Sequence, residues 1–216
     1  MLGWLKEWNR QRKFGAPVIV VSGLPRSGTS MMMKMLAASG VELVTDNLRA
    51  ADEDNPEGYF EYERVKELAE AEDSSWMIEH RGKVIKVISL LLEDLPDTCF
   101  YKVVFMHRDL AEVLASQNKM LQRRGEHGGG TDDSTMAGLY ARHLKKVQLR
   151  LSGRRNFAWL DVQYREVIEN PREQAERVGR FIGFPDRAER MAAAVDRQLY
   201  RNRAETVPRG AVSPSR

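Results

Sequence analysis

The chain has 216 residues, 42% hydrophobic and 30% charged, with 34 lysines and arginines against 31 acidic residues and a formal net charge of +3. These figures describe an ordinary globular protein long enough to bury a core, and so small a positive excess gives no reason to expect a nucleic-acid partner. The single cysteine, Cys99, excludes an internal disulfide framework, and no apolar run has the length of a transmembrane segment.

Residues 1–15 read as an N-terminal extension, with Trp4, Leu5 and Trp8 at helical spacing among Lys6, Arg10, Arg12 and Lys13, and Glu7 as its one acid. Two readings stand: an amphipathic helix lying on a membrane surface, or a terminal helix docking its tryptophans on the domain. Lysine and glutamate interrupt the apolar residues, unlike a secretory signal. With the lone cysteine, this predicts a cytoplasmic protein.

Val18 to Val21 is a continuous apolar run, read as a buried strand over 17–22. It feeds Gly23-Leu24-Pro25-Arg26-Ser27-Gly28-Thr29-Ser30 and then a helix over 28–39. Strand, glycine-bounded loop and helix together make an anion cradle, in which loop N–H groups and the positive helix end converge on one phosphate-sized volume. The triphosphatase form of such a loop is G-x-x-x-x-G-K-[ST]. Here Thr29 stands where the lysine belongs, and the cation is Arg26. A guanidinium stays charged and forks onto oxyanions, so a phosphate or sulfate ligand is expected, without a metal.

Further strands are predicted over 41–44, 83–88, 100–106 and 157–162, and helices over 61–72, 110–123, 134–152, 171–183 and 187–199. Asn47 to Gly58 is an acidic loop carrying Asn55-Pro56-Glu57-Gly58. Gly125 to Asp133, with Gly128-Gly129-Gly130, is either a lid or a flexible connector. Residues 200–216 form a basic tail in which Arg201, Arg203, Arg209 and Arg216 oppose Glu205; it either closes over a polyanionic ligand or is solvated. The alternation implies one α/β domain over 1–216, with a mostly parallel central sheet of about five strands and helices on both faces.

Gly-Leu-Pro-Arg-Ser-Gly-Thr-Ser, residues 23–30, resembles the 5′-phosphosulfate loop of sulfotransferases that use 3′-phosphoadenosine-5′-phosphosulfate (PAPS). It is most similar to the bacterial and Golgi-type branch, with its Pro-Arg-Ser-Gly-Thr. A second match is the strand ending in His107-Arg108-Asp109 with Ser116 eight residues after the arginine, similar to the family's 3′-phosphate signature. A third, looser match is Asp161-Val-Gln-Tyr164 with Asn170-Pro171, Phe181 and Gly183. The resemblance spans residues 17–185. It implies a P-loop-type three-layer sandwich that transfers a sulfuryl group from PAPS to a hydroxyl or amine of a small molecule or glycan, with no metal.

By the same resemblance, Arg26 and the N–H groups of Ser27, Gly28, Thr29 and Ser30 hold the 5′-phosphosulfate, Arg108 and Ser116 hold the 3′-phosphate, and Tyr164 lies on the adenine side. Lys86 stands where the family often places a second lysine near the sulfate; a strand-capping lysine is the plain alternative. Where the cytosolic branch carries its histidine base, two residues on, this chain has Ile88. Golgi-type members use a glutamate, and Glu57, Glu61 and Glu63 are available. Glu61 is preferred because it follows Gly58-Tyr59-Phe60 at an expected helix start; His80, His107, His127 and His143 stay open. Met31 replaces the family's adenine-stacking aromatic, and Arg201-Asn-Arg203 and Arg209-Gly210 only loosely resemble its late Arg-Lys-Gly motif. Two rival readings remain. One is a P-loop kinase or nucleotide hydrolase, using Ser30 and a Walker-B-like Asp161. The other is a catalytically degenerate nucleotide-binding module.

Overall fold

The computed structural model describes residues 2–46, 48, 58–71, 73–125 and 132–197. Helix α1 (Leu2–Phe14) leads into β1 (Val18–Gly23), α2 (Thr29–Ala38), β2 (Leu43–Val44) and β3 (Val84–Lys86). Then come β4 (Tyr101–His107), α3 (Leu110–Arg123), α4 (Asp133–Ser152), β5 (Phe157–Gln163), α5 (Tyr164–Glu169), α6 (Pro171–Ile182) and α7 (Ala188–Ala193). The five strands pair in the order β2-β3-β1-β4-β5, and every pairing is parallel.

Residue alternation builds the layers. Ile19 and Val21 of β1 face a core filled by Met32, Met35 and Leu36 of α2, Val178 and Ile182 of α6 and Met191 of α7. Val18 and Val20 face a second core, closed by Trp76, Met77, Leu92 and, from α4, Val147 and Leu151. A strand buried on both faces must be apolar throughout, hence the unbroken run in β1. The result is the expected P-loop-type α/β architecture, a parallel sheet between helical layers.

All five strands and the helices from α2 to α4 lie where the sequence places them, within a few residues. The helix expected over 61–72 does not form. Only Glu63–Glu67 winds, as a 3₁₀ turn. The start of this segment is tied to β2 instead: the Asp46 N–H and the Thr45 hydroxyl donate to the Glu61 carbonyl, while the Asp46 carboxylate accepts the Glu63 N–H at 2.6 Å. Those bonds hold Tyr62 extended, at φ −130°, which keeps residues 61 and 62 outside any helix. Short 3₁₀ helices over Ser75–His80 and Ser89–Asp94, and helix α5, have no counterpart in the sequence reading. Of the helix expected over 187–199, Ala188–Ala193 is α-helical, and 198–199 lie outside the described residues.

Candidate functional site

The chain leaves β1 toward β3 and β2 and later passes back across it to β4, so β1 lies where the strand order reverses. Open parallel sheets bind ligands at that crevice, beyond the C-terminal strand ends. The loop of residues 24–28 starts there. Gly23 has no room for a side chain, since a Cβ would overlap the Ser27 hydroxyl and the Met106 carbonyl. Gly28 sits at φ +99°, where a Cβ would run into the Tyr164 ring. Thr29 then opens α2 with no side chain capping its first turn, leaving amide dipoles directed at the crevice.

Arg26 and Phe60 are the non-glycine residues with positive φ among the described residues, at 69° and 51°. Such conformations persist only where neighbours enforce them, and Arg26 is held from two sides. Its Nε donates to the Ser116 hydroxyl of α3 at 3.0 Å. Its carbonyl accepts from Arg108 Nη1 at 3.3 Å. The Arg108 guanidinium lies 4.5 Å over the Tyr164 ring and pairs through Nε with Glu112 Oε2 at 2.9 Å. Both members of that ion pair are buried, with side chains 8% and 7% exposed. Asp109 caps α3 by accepting the N–H groups of Ala111 and Glu112, which places Arg108 before the helix. From there its side chain meets Glu112, four residues on. Burial pushes the Tyr164 phenol above its ordinary pKa, and the nearby Arg108 charge opposes the shift.

Ser27 turns inward. Its hydroxyl is buried without a hydrogen-bond partner among the described residues, and its N–H closes a turn on the Leu24 carbonyl at 3.2 Å. Met31 is also buried, in the core beneath α2.

Lys86 ends β3, an interior strand rather than an edge. Its side chain is 10% exposed, and Nζ donates to the Tyr59 carbonyl at 2.7 Å and to the Ser30 hydroxyl at 3.3 Å. Glu61 Oε1 lies 3.9 Å from the same nitrogen. Glu61 therefore reaches the site from an extended segment, not from a helix start, and the strained Phe60 turn delivers it.

Sequence reasoning missed two groupings. Glu112, partner to Arg108, carried only the signal of an acid four residues along from an arginine across a helix start. His107 and Asp161 were noticed separately, but Asp161 Oδ1 accepts from His107 Nε2 at 2.6 Å and from Trp159 Nε1 at 2.7 Å. Both outer rings pack on Phe105. His143 meets the Ser89 hydroxyl at 2.9 Å, and burial holds its pKa below the usual imidazole value. His80 packs between Tyr62 and Trp76. Glu57, His127, most of the loops at 47–58 and 125–133, and the tail over 200–216 lie outside the described residues. Among the described residues no group of three or more His, Cys, Asp or Glu side chains is arranged to hold a metal ion, and no helix is long and apolar enough to cross a membrane.

A parallel α/β sheet with an arginine-bearing, glycine-bounded loop at its switch point defines a P-loop-type α/β fold. Residues 57–188 match the sulfotransferase family, and the chain belongs to that family. The matched stretch contains Lys86, Arg108, Ser116 and Tyr164 and begins after the loop. Solved structures with similar folds include a sulfotransferase domain from the curacin biosynthetic pathway, 15% identical, covering 85% of this chain and 89% of that one, with a TM-score of 0.48. A sulfotransferase from Alicyclobacillus acidocaldarius is 14% identical, covers 77% and 81%, and scores 0.45. A sugar kinase from a Janibacter species is 14% identical, covers 80% and 98%, and scores 0.39. Likenesses this slight carry no argument, and the assignment rests on the family match. Among curated protein sequences, none matches.

Proposed function

We propose that this sulfotransferase takes its sulfuryl group from PAPS and passes it to a hydroxyl or amine of a small molecule or glycan. One observation carries the reading: Arg26 of the loop is hydrogen-bonded to Ser116 and, through its carbonyl, to Arg108. The residues suited to the two phosphorylated ends of one nucleotide thus form a single connected unit. The fit extends to Gly28, where only a missing Cβ lets the loop lie against Tyr164.

In this reading the amides of Gly28, Thr29 and Ser30 and the Arg26 guanidinium hold the 5′-phosphosulfate, with the Ser27 N–H spent on the Leu24 carbonyl, and Arg108 and Ser116 hold the 3′-phosphate. Tyr164, as a buried wall, keeps Arg108 and the loop in register. When bound, PAPS supplies a sulfuryl group attached to a phosphate leaving group. Transfer of this kind depends on alignment and on stabilising spread-out charge; Arg26 provides a permanently charged guanidinium, and Lys86, hydrogen-bonded to Ser30, brings a second cationic side chain beside the same loop. Glu61, beside Lys86, is the general base that accepts the proton of the acceptor.

The kinase reading has less support. The Ser30 hydroxyl, which would hold Mg²⁺, accepts from Lys86, and Asp161 stands on the edge strand β5 bonded to His107 and Trp159. The test is calorimetry with adenosine 3′,5′-bisphosphate. Binding is expected without magnesium and should weaken about hundredfold in Arg108→Ala, the loss of a charge-assisted fork on phosphate. Arg108→Lys keeps a charge beside Glu112 and should still bind worse than wild type, because an ammonium lacks the fork. Binding of ATP·Mg²⁺ in preference to the bisphosphate would reject the proposal. Nucleotide binding without transfer to any of a broad set of acceptors would favour the degenerate module.

A further inference from the structure

Helix α1 is amphipathic the wrong way round for docking on the domain. At about 100° per residue, Glu7, Arg10 and Phe14 form one stripe, and Leu5, Trp8 and Arg12 the opposite one. The polar stripe faces inward. Glu7 pairs with Lys102 of β4, whose side chain is only 4% exposed. Arg10 donates to the Arg155 carbonyl at 2.7 Å and lies over the Phe100 ring. The apolar stripe faces out, with Leu5 41% and Trp8 51% exposed and the Arg12 guanidinium 5.4 Å above the Trp8 ring. Lys6 and Lys13 are exposed together on the adjoining flank. The helix's one acid is paired with Lys102, so the remaining charge of the helix is basic.

From this arrangement we infer that α1 is a peripheral docking surface for an anionic phospholipid bilayer. Trp8 and Leu5 enter the headgroup boundary, and Lys6, Arg12 and Lys13 meet lipid phosphates. An outward aromatic and aliphatic pair ringed by cations only is the chemistry of an interfacial helix. A water-facing helix would be expected to mix both signs of charge. The helix is anchored at residues 100, 102 and 155, by the N-terminal ends of β4 and β5. The loop of residues 24–28 opens at the other end of the sheet, so a bilayer on α1 leaves the site accessible.

The test is sedimentation of the full chain with vesicles of phosphatidylcholine, or of equal parts phosphatidylcholine and phosphatidylglycerol. Binding is expected only to the anionic vesicles and should weaken with added salt. Each charge removed in Lys6→Gln/Arg12→Gln/Lys13→Gln should cost about fivefold in partitioning. Leu5→Ser/Trp8→Ser should abolish it with the melting temperature unchanged, because Glu7 and Arg10 keep the helix docked. If one variant misfolds, the other decides. Absence of wild-type binding to anionic vesicles, undiminished binding by the folded variants, or a dimer lost in Trp8→Ser would each overturn the inference.

Discussion

Arg26 shows how one residue's strain is put to use. Holding a non-glycine residue at φ 69° costs on the order of 1 kcal/mol or more, and the Arg108 and Ser116 hydrogen bonds offset it. A serine hydroxyl both accepts and donates, so Ser116 can keep accepting from Arg26 Nε while donating to a phosphate. In the proposed PAPS complex it is therefore a positioning residue for Arg26 as well as a ligand group. Ser116→Ala should lower kcat about tenfold, the worth of a hydrogen bond to a charged group, in addition to raising the KM for PAPS. Ser116→Thr, which keeps the hydroxyl, should recover most of the kcat. A change confined to KM would leave Ser116 as a phosphate contact alone.

At the scale of elements, the start of α3 carries the most consequence. The Asp109 cap fixes where the helix begins, and that boundary puts Arg108 and Glu112 side by side. Removing one member of a buried pair strands the other charge away from water, a loss of about 3 kcal/mol. Glu112→Ala should show it in urea denaturation, and Arg108→Ala/Glu112→Ala should recover part of the loss. If Glu112→Ala were as stable as wild type, the pair would have to be hydrated in solution. These elements also show what a sequence can disclose. β1, the loop and α3 were legible because strand hydrophobicity, glycine spacing and capping are local signals. The segment after Gly58 was not, since its conformation is set by Asp46 and Thr45, which are distant in sequence. Pairings such as His107 with Asp161, 54 residues apart, arise only once β4 and β5 lie side by side. The orientation of α1 was likewise undecidable until Lys102 appeared as the buried partner of Glu7.

For the whole molecule, the two helical layers differ in how they meet acid. The layer of α2, α6 and α7 carries no histidine in those helices. The opposite layer includes two histidines held below the usual pKa of 6.5 chiefly by burial. Around His80, Lys83 and Arg64 lower it further while Glu79 and Glu42 oppose; around His143, Lys146 lowers it and Glu93 opposes. Because the folded values lie below the unfolded one, the unfolded chain binds protons first as the pH falls through 6.5. Stability present above that pH is then progressively lost, until the folded histidines also protonate. The depressed carboxylates Asp46, Asp73 and Asp132 start from 3.8 and act only at lower pH, so the two effects separate. Between about pH 7.5 and 5.5 the melting temperature should fall, and less so in His80→Phe/His143→Gln. Hydrogen exchange over the same range should rise first in 75–80, 89–94 and α4, with α2 and α6 still protected. Equal pH dependence in wild type and double variant would show that neither histidine couples its charge to folding.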